Sequence, residues 1–305
     1  MLTKTRCCVA VVLFCVLTAL AAAQGTPGGK TPHLADFNPL SEEELQTGVI
    51  RLFDGISTFG WKNDAKVEDG ILSFTGNLEK TPRWFLSEKK LEGLTWQLGV
   101  ATYHGKISGI SLIDAKPLAT TPLFDGKTLT GWTLYGKAEA EVKDGAIRLT
   151  NGSGSLESDG KYGDFVLQLE YFTPVRPEGK GVNSGVFFRC IPGEIMNGYE
   201  CQILNNPGED DYKNYIGTDT GGIFRRQVGR NIGPKDGEWN YLTIAAKEAR
   251  IATWVNGIQA ADWTDERAPH NNPRNGRRTE AGTIQFQAHD PETEVLFRNI
   301  RIQEL

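Results

Sequence analysis

Three stretches of the chain place polar side chains where they could do chemistry. In VNSGVFFRC, Asn183, Gly185, Phe187 and Arg189 share one side of an extended backbone, and Val182, Ser184, Val186, Phe188 and Cys190 share the other, because successive side chains in a strand point to opposite faces. In YECQIL, Glu200 and Gln202 oppose Tyr199, Cys201 and Ile203, and in TIQFQAHD, Gln285, Gln287 and His289 oppose Ile284, Phe286 and Ala288. Each stretch therefore has one apolar face and one face of Asn, Arg, Glu, Gln and His. An ordinary solvent face of an antiparallel sheet is the plain alternative, but such faces carry mostly Lys, Glu, Thr and Ser. Amides and guanidinium groups are planar multi-donor groups suited to sugar hydroxyls, and neighbouring aromatic rings can stack on a pyranose. A sugar-binding face is expected, with Asn183, Gln202, Gln285 and Gln287 as binding residues.

An ordinary glycosidase needs two carboxylates flanking the bond it cleaves. Glu200 is the only carboxylate on these three polar faces, and the chain has no Glu-x-Asp-x-Glu cluster. Asp290, next to His289, is expected to point away or to belong to a turn. This pattern argues against direct hydrolysis of an unmodified sugar. No cofactor is called for, although Glu200 and His289 could together ligate a divalent metal ion, with Asp210, Asp211 and Asp219 in the loop that follows. No strict calcium or zinc spacing supports that second use. RNGRR, Arg274 to Arg278, reads as a solvated loop rather than an anion site.

Short alternating segments separated by Asp-Gly and Asn-Gly turns must position these residues, which is the pattern of β-sandwiches and barrels. Thirty-five glycines and seven tryptophans accompany little helical periodicity, and an all-β protein is expected. One exception is PLSEEELQTG, where Ser41 and Glu44 have the spacing of a capping box and Gly48 suits the helix stop. The chain also repeats itself: LFDGISTFGW (52–61) returns as LFDGKTLTGW (123–132). The likeness extends through Asp69-Gly70 and Asp144-Gly145 and from ISGISLID to NSGVFFRC, ending near Asp114. In the first copy Ile107 stands where the second has Asn183, and Ile113 where it has Arg189, so its polar face is erased. Residues 49–118 are read as a degenerate partial repeat, a structural half-unit, and residues 119–305 as the domain that holds the site.

Lys4 and Arg6, an apolar run from Cys7 and the Ala21-Ala22-Ala23 end have the form of a signal peptide over residues 1–23, followed by a leader over 24–48 that carries the short helix. A secreted or periplasmic protein with no membrane span after cleavage is expected. Loss of Lys4 and Arg6 takes the formal charge from −5 to −7, and an acidic chain without basic clusters argues against nucleic acid as partner. Cys190 and Cys201 remain, both on apolar faces of consecutive strands. Where those strands pair as a hairpin the sulfurs could meet, and a disulfide is expected in an oxidising compartment.

In order, LFDGKTLTGW, NSGVFFR, GYECQIL, EWNYLTIAAKEARIATWVNG, GTIQFQAHD and VLFRNIRIQEL resemble the bacterial 3-keto-disaccharide hydrolase domain, also described as 3-keto-glucoside lyase/hydratase, over residues 119–305. The chain departs from that family in its cysteines at 190 and 201 and in TGGIFRRQVGRNI, where members usually read TGAIY. The resemblance implies a concanavalin A-like antiparallel β-sandwich and an oligosaccharide or glycoside substrate oxidised at C3. A 3-ketone acidifies the C2 proton, so one base can remove it, a donor can steady the enolate, the C1 substituent can leave, and water can add. Glu200 or His289 would be the base, and Arg189 or Asn183 the donor to the keto oxygen. The rival reading is a non-catalytic, lectin-like carbohydrate-binding module on the same sandwich.

Overall fold

The computed structural model describes residues 39–305 apart from 63–65, 69–70, 76–78, 81–94, 98–99, 103–105, 111–112, 118, 178, 180, 207–215 and 231. The predicted signal peptide, most of the leader, and Asp210 and Asp211 lie outside the described residues. Helix α1 (Glu42–Gln46) starts at Ser41, whose hydroxyl accepts from the Glu44 amide while the Glu44 side chain takes the Ser41 amide, a complete capping box. Gly48, at φ 86°, ends it. Nine short strands follow: β1 (Ile50–Phe53), β2 (Trp61–Lys62), β3 (Lys66–Glu68), β4 (Ile71–Thr75), β5 (Glu79–Lys80), β6 (Thr95–Gln97), β7 (Val100–Thr102), β8 (Lys106–Ile110) and β9 (Ile113–Ala115). They pair only in twos and threes, as β1–β9, β2–β5, β3–β4–β8 and β6–β7.

The larger part of the fold is a two-layer antiparallel sandwich, as expected. Its strands are β10 (Thr121–Pro122), β11 (Trp132–Gly136), β12 (Glu139–Lys143), β13 (Ala146–Thr150), β14 (Gly154–Ser158), β15 (Phe165–Phe172), β16 (Ser184–Cys190), β17 (Tyr199–Ile203), β18 (Trp239–Lys247), β19 (Arg250–Val255), β20 (Ile258–Thr264), β21 (Thr283–Ala288) and β22 (Glu294–Glu304). The front sheet runs β11–β14–β21–β16–β17, and the back sheet runs β12–β13–β22–β15–β18–β19–β20 with β10 added to β22. Asp144-Gly145 and Asn256-Gly257, each with two positive φ angles, make the tight turns of the β12–β13 and β19–β20 hairpins.

Alternation decides what each sheet buries. Leu156, Val186, Phe188, Cys201 and Phe286 of the front sheet meet Leu149, Leu167, Leu169, Ile244 and Phe297 of the back sheet, all buried in one core. Phe286 stacks on Phe297 with ring centroids 4.2 Å apart, and Trp132 covers Phe286 at 5.0 Å. Full burial of each such side chain contributes roughly 1.5–3 kcal/mol. The outer side of the back sheet is covered in turn by residues 39–61. Gln168 donates to the Gly48 carbonyl at 2.9 Å, the Trp254 indole to the Arg51 carbonyl at 3.2 Å, and the Arg51 amide to the Gly257 carbonyl at 2.7 Å. The repeated decapeptides close alike: Trp61 and Trp132 donate their indole N–H to the Leu52 and Leu123 carbonyls at 2.9 and 3.0 Å.

The expected disulfide is overturned by register. Cys201 lies opposite Val186, four residues before Cys190, or ~13 Å along a strand at ~3.3 Å per residue, beyond any disulfide's reach. Both cysteines are free and buried, and burial pushes both thiols above their ordinary pKa.

Candidate active site on the front sheet

The outer face of the front sheet carries Glu200, Gln202, Gln285 and Gln287 of the predicted polar set, and two further strands contribute to it. Register builds one row across all five strands: Thr133 faces Glu157, Glu157 faces Gln285, Gln285 faces Phe187 and Phe187 faces Glu200. In the neighbouring row Tyr135 faces Ser155, Ser155 faces Gln287, and Gly185 faces Gln202. β14 was not among the strands read for chemistry, and it adds the buried carboxylate Glu157. Its GSLES sequence carries only one charge, so little in the pattern pointed to it.

Loops cover much of this face. The Met196 amide donates to Gln285 Oε1 at 2.8 Å, and Gln285 Nε2 donates to Glu157 Oε2 at 2.5 Å and to the Glu194 carbonyl at 3.0 Å. Glu157 also accepts from the Gly193 amide at 3.1 Å. Gln285 and Glu157 are thus spent on holding the 191–197 loop down. Gln287 donates to Met196 Sδ at 3.2 Å, and Gln202 donates to Asn183 Oδ1 at 2.9 Å. The amide oxygens of Gln202 and Gln287, both residues about 3% exposed, have no donor among the described residues.

Glu200 is the chemical centre of the face. Its carboxyl is buried and lies over Gly185, where an added Cβ would come within 2.9 Å of Oε1 and 3.2 Å of Cγ. Burial pushes its pKa up to about 7, against the opposing pull of Arg274, His289 and Arg225. Arg274 Nη2 sits 3.1 Å from Glu200 Oε2, and its guanidinium stacks over Phe187 at 4.9 Å and over Phe224 at 5.7 Å. The reading of Arg274–Arg278 as a solvated loop is therefore corrected at Arg274. Buried Asp265 anchors Arg267 at 2.7 Å, and Arg267 donates to the Pro273 and Gly276 carbonyls at 2.9 Å each, which folds the loop back over β17.

His289 stands at the end of β21, half-exposed, with Nδ1 2.8 Å from Asp290 Oδ1. Of the two expectations for Asp290, pointing away or belonging to a turn, the structure has the turn: the strand ends at Ala288, and the Thr293 amide donates to the Asp290 carbonyl at 2.8 Å. A carboxylate on Nδ1 favours the tautomer that leaves Nε2 as the acceptor.

Arg189 is the largest departure. A bulge between Phe187 and Cys190 breaks the alternation, with Arg189 at φ 51°. Its fully buried guanidinium donates to the carbonyls of Gly163 at 2.8 Å, Glu248 at 2.6 Å and Arg278 at 3.1 Å and pairs with Asp164 at 3.0 Å. It ties strand ends together and is closed to any substrate. For metal binding, no three His, Cys, Asp or Glu side chains gather among the described residues, and no described helix is long and apolar enough to cross a membrane.

Gly185→Ala tests the packing under Glu200. Crowding at 2.9 Å costs roughly 1–3 kcal/mol of stability and is expected to move the carboxyl off Arg274, raising its pKa above about 7. Carbon-13 NMR titration of labelled glutamate reads the shift, and an unchanged titration with wild-type stability would show that the carboxyl does not depend on this gap.

The polar front face of the sandwich, with one perturbed carboxyl and a His–Asp pair, holds the groups that acid–base chemistry needs. Residues 119–303 match the 3-keto-alpha-glucoside-1,2-lyase-like domain, and the chain belongs to that family. It is similar to a 3-keto-disaccharide hydrolase of Bacteroides thetaiotaomicron, 26% identical over 250 residues that cover 63% of this chain and 80% of that protein. Among solved structures it resembles a candidate glycosyl hydrolase of Parabacteroides distasonis, with 25% identity, a TM-score of 0.50, and coverage of 62% of this chain and 100% of that one.

Proposed function

We propose that the protein cleaves 3-keto-glycosides by elimination and hydration, with Glu200 and His289 as the two proton carriers. The observation that carries this reading is a buried carboxyl at about pKa 7 held beside a guanidinium. Such a group is present in both protonation states near neutrality, which suits it to take a proton and return it. One carrier removes the C2 proton, the C1–O bond breaks, and the other protonates the departing oxygen. Water then adds to C1 and a proton returns to C2, which completes net hydrolysis. The positive charge of Arg274 beside Glu200, with Arg225 acting on the same carboxyl, favours the enolate formed between these steps. Asn183, with Gln202 and Gln287 beside it, binds hydroxyls of the sugar.

The second carboxylate on the face does not make this a two-carboxylate glycosidase. Glu157 lies three strand spacings from Glu200, ~14 Å at ~4.8 Å each, whereas paired glycosidase carboxylates stand roughly 5–9.5 Å apart. Incubation with 3-keto-trehalose or a 3-keto-glucoside should release products, and the parent unoxidised sugars should remain uncut under the same conditions. Turnover of the parent disaccharide would refute the reading. Binding of the keto sugar without turnover would move the protein to the carbohydrate-binding modules.

A further inference from the structure

The two decapeptides share a turn and differ in one contact. In the second copy Asp125 Oδ1 accepts from the Lys127 and Thr128 amides at 2.8 Å each and faces solvent. In the first, Asp54 Oδ1 accepts from the Ile56 and Ser57 amides at 2.9 and 2.7 Å, but its carboxylate is buried and Oδ2 also holds Arg230 Nη2 at 2.8 Å. The Arg230 guanidinium lies 4.6 Å over the Phe59 ring, and the Arg230 amide donates to the Ala260 carbonyl at 2.9 Å. Arg230 ends a segment that begins beside Glu200. The Gly221 amide donates to the Gln202 carbonyl at 2.9 Å, the Gln202 amide to the Gly222 carbonyl at 3.0 Å, and the Phe224 amide to the Glu200 carbonyl at 3.0 Å. The Phe224 ring also supports Arg274.

We propose that the Asp54–Arg230 ion pair is a positioning contact for Glu200, by which the segment ahead of the family domain braces the 221–230 segment against β17. This rests on the reading of Glu200 as a proton carrier, and it extends the site to residues outside the matched 119–303 region. A buried pair linking two chain segments resists their separation strongly, because opening it strands a charge in a poorly solvated place. Segment 221–230 adds a strand-like edge to β17 and roofs the carboxyl that burial perturbs. Releasing its far end admits water to Glu200, and relief of desolvation, the largest cause of the raised pKa, sets the direction of the change.

The test compares Arg230→Met, which keeps the aliphatic stem over Phe59, with Arg230→Lys, Asp54→Asn and the control Asp125→Asn, which weakens the matching turn without touching the 221–230 segment. In Arg230→Met and Asp54→Asn, the Phe224 and Gly221 amides should exchange hydrogen at least about tenfold faster, with amides of β15 unchanged. The Glu200 titration, followed by carbon-13 NMR without substrate, should fall from about 7 towards the ordinary 4.5. On a 3-keto-glycoside, kcat should fall by about tenfold, the scale of a small misplacement, with KM nearly constant, and Arg230→Lys should recover part of the loss. Asp125→Asn should change none of these. Wild-type exchange at Phe224 and a wild-type Glu200 titration in both Arg230→Met and Asp54→Asn would overturn the proposal. If both shift while even the wild-type protein leaves 3-keto-glycosides intact, the brace stands and the proposed reaction fails.

Discussion

Glu200→Gln is expected to lower cleavage of a 3-keto-glycoside by at least ~10²-fold, the span of a lost general acid or base, and to stabilise the fold at neutral and alkaline pH. The two effects have one cause. Burial on the front sheet holds the Glu200 carboxyl at about 7 in the folded chain, against the ordinary 4.5 of an exposed glutamate. A folded pKa above the unfolded one means a stability contribution that is complete below about pH 4.5 and lost as pH rises through about 7. The loss is on the order of 2–3 kcal/mol between those limits. Glutamine keeps the shape and does not titrate, so the gap in Tm between variant and wild type should widen in the variant's favour from pH 4.5 to 8. Arg274 loses its anionic partner in the variant, which trims the gain but leaves its pH dependence. A Tm difference flat with pH, or wild-type turnover, would place the perturbed proton elsewhere.

Arg274→Met should lower turnover at pH 7 by at least about tenfold and move the pH–rate limb of the ionised carboxyl to higher pH. Arg274 is the leading force that opposes burial at Glu200. Without it the carboxyl rises further above 7, and a smaller fraction is available as base at neutrality. Activity should recover in part as pH is raised towards 9, which separates a shifted titration from a lost fold. Arg274→Lys is expected to behave as an intermediate, because it keeps a charge but loses the planar group that lies over Phe187 and Phe224. Profiles of kcat/KM from pH 5 to 9 in the three proteins decide it, and a wild-type profile in Arg274→Met would remove Arg274 from the site.

These two residues belong to one arrangement, in which a perturbed carboxyl is kept usable by a neighbouring cation. Glu200 without Arg274 would be a buried acid protonated at neutral pH, and Arg274 without Glu200 a stacked cation held by the Met196 carbonyl. The 266–278 loop, knit by Arg267 and Asp265, is what makes them meet. The enolate reading needs this positive surplus more than it needs a second carboxylate, which explains why Glu157 can be spent on holding a loop.

Much of the fold and part of the site are local properties and could be read from the chain. The period of two in SGVFFRC, YECQI and TIQFQA set which residues face the core, because strand geometry leaves no other choice. The Ser41–Glu44 capping box and the Asp144-Gly145 and Asn256-Gly257 turns were legible because a few adjacent dihedrals determine them. Alternation also put Glu200, Gln202, Gln285 and Gln287 on one face, and strand register then aligned them across the sheet. What the tertiary structure decided lies where alternation stops or where contacts span long loops. A single bulge at Arg189 turned a predicted donor into a buried tie. Strand pairing fixed Cys190 and Cys201 four residues out of step, so two cysteines on the same face of one hairpin remain thiols. Arg274 reaches Glu200 across 74 residues of sequence, and Arg230 reaches Asp54 across 176. No local pattern encodes such meetings, because loop closure costs entropy that only the completed sandwich offsets, and the pKa of Glu200 depends on that closure.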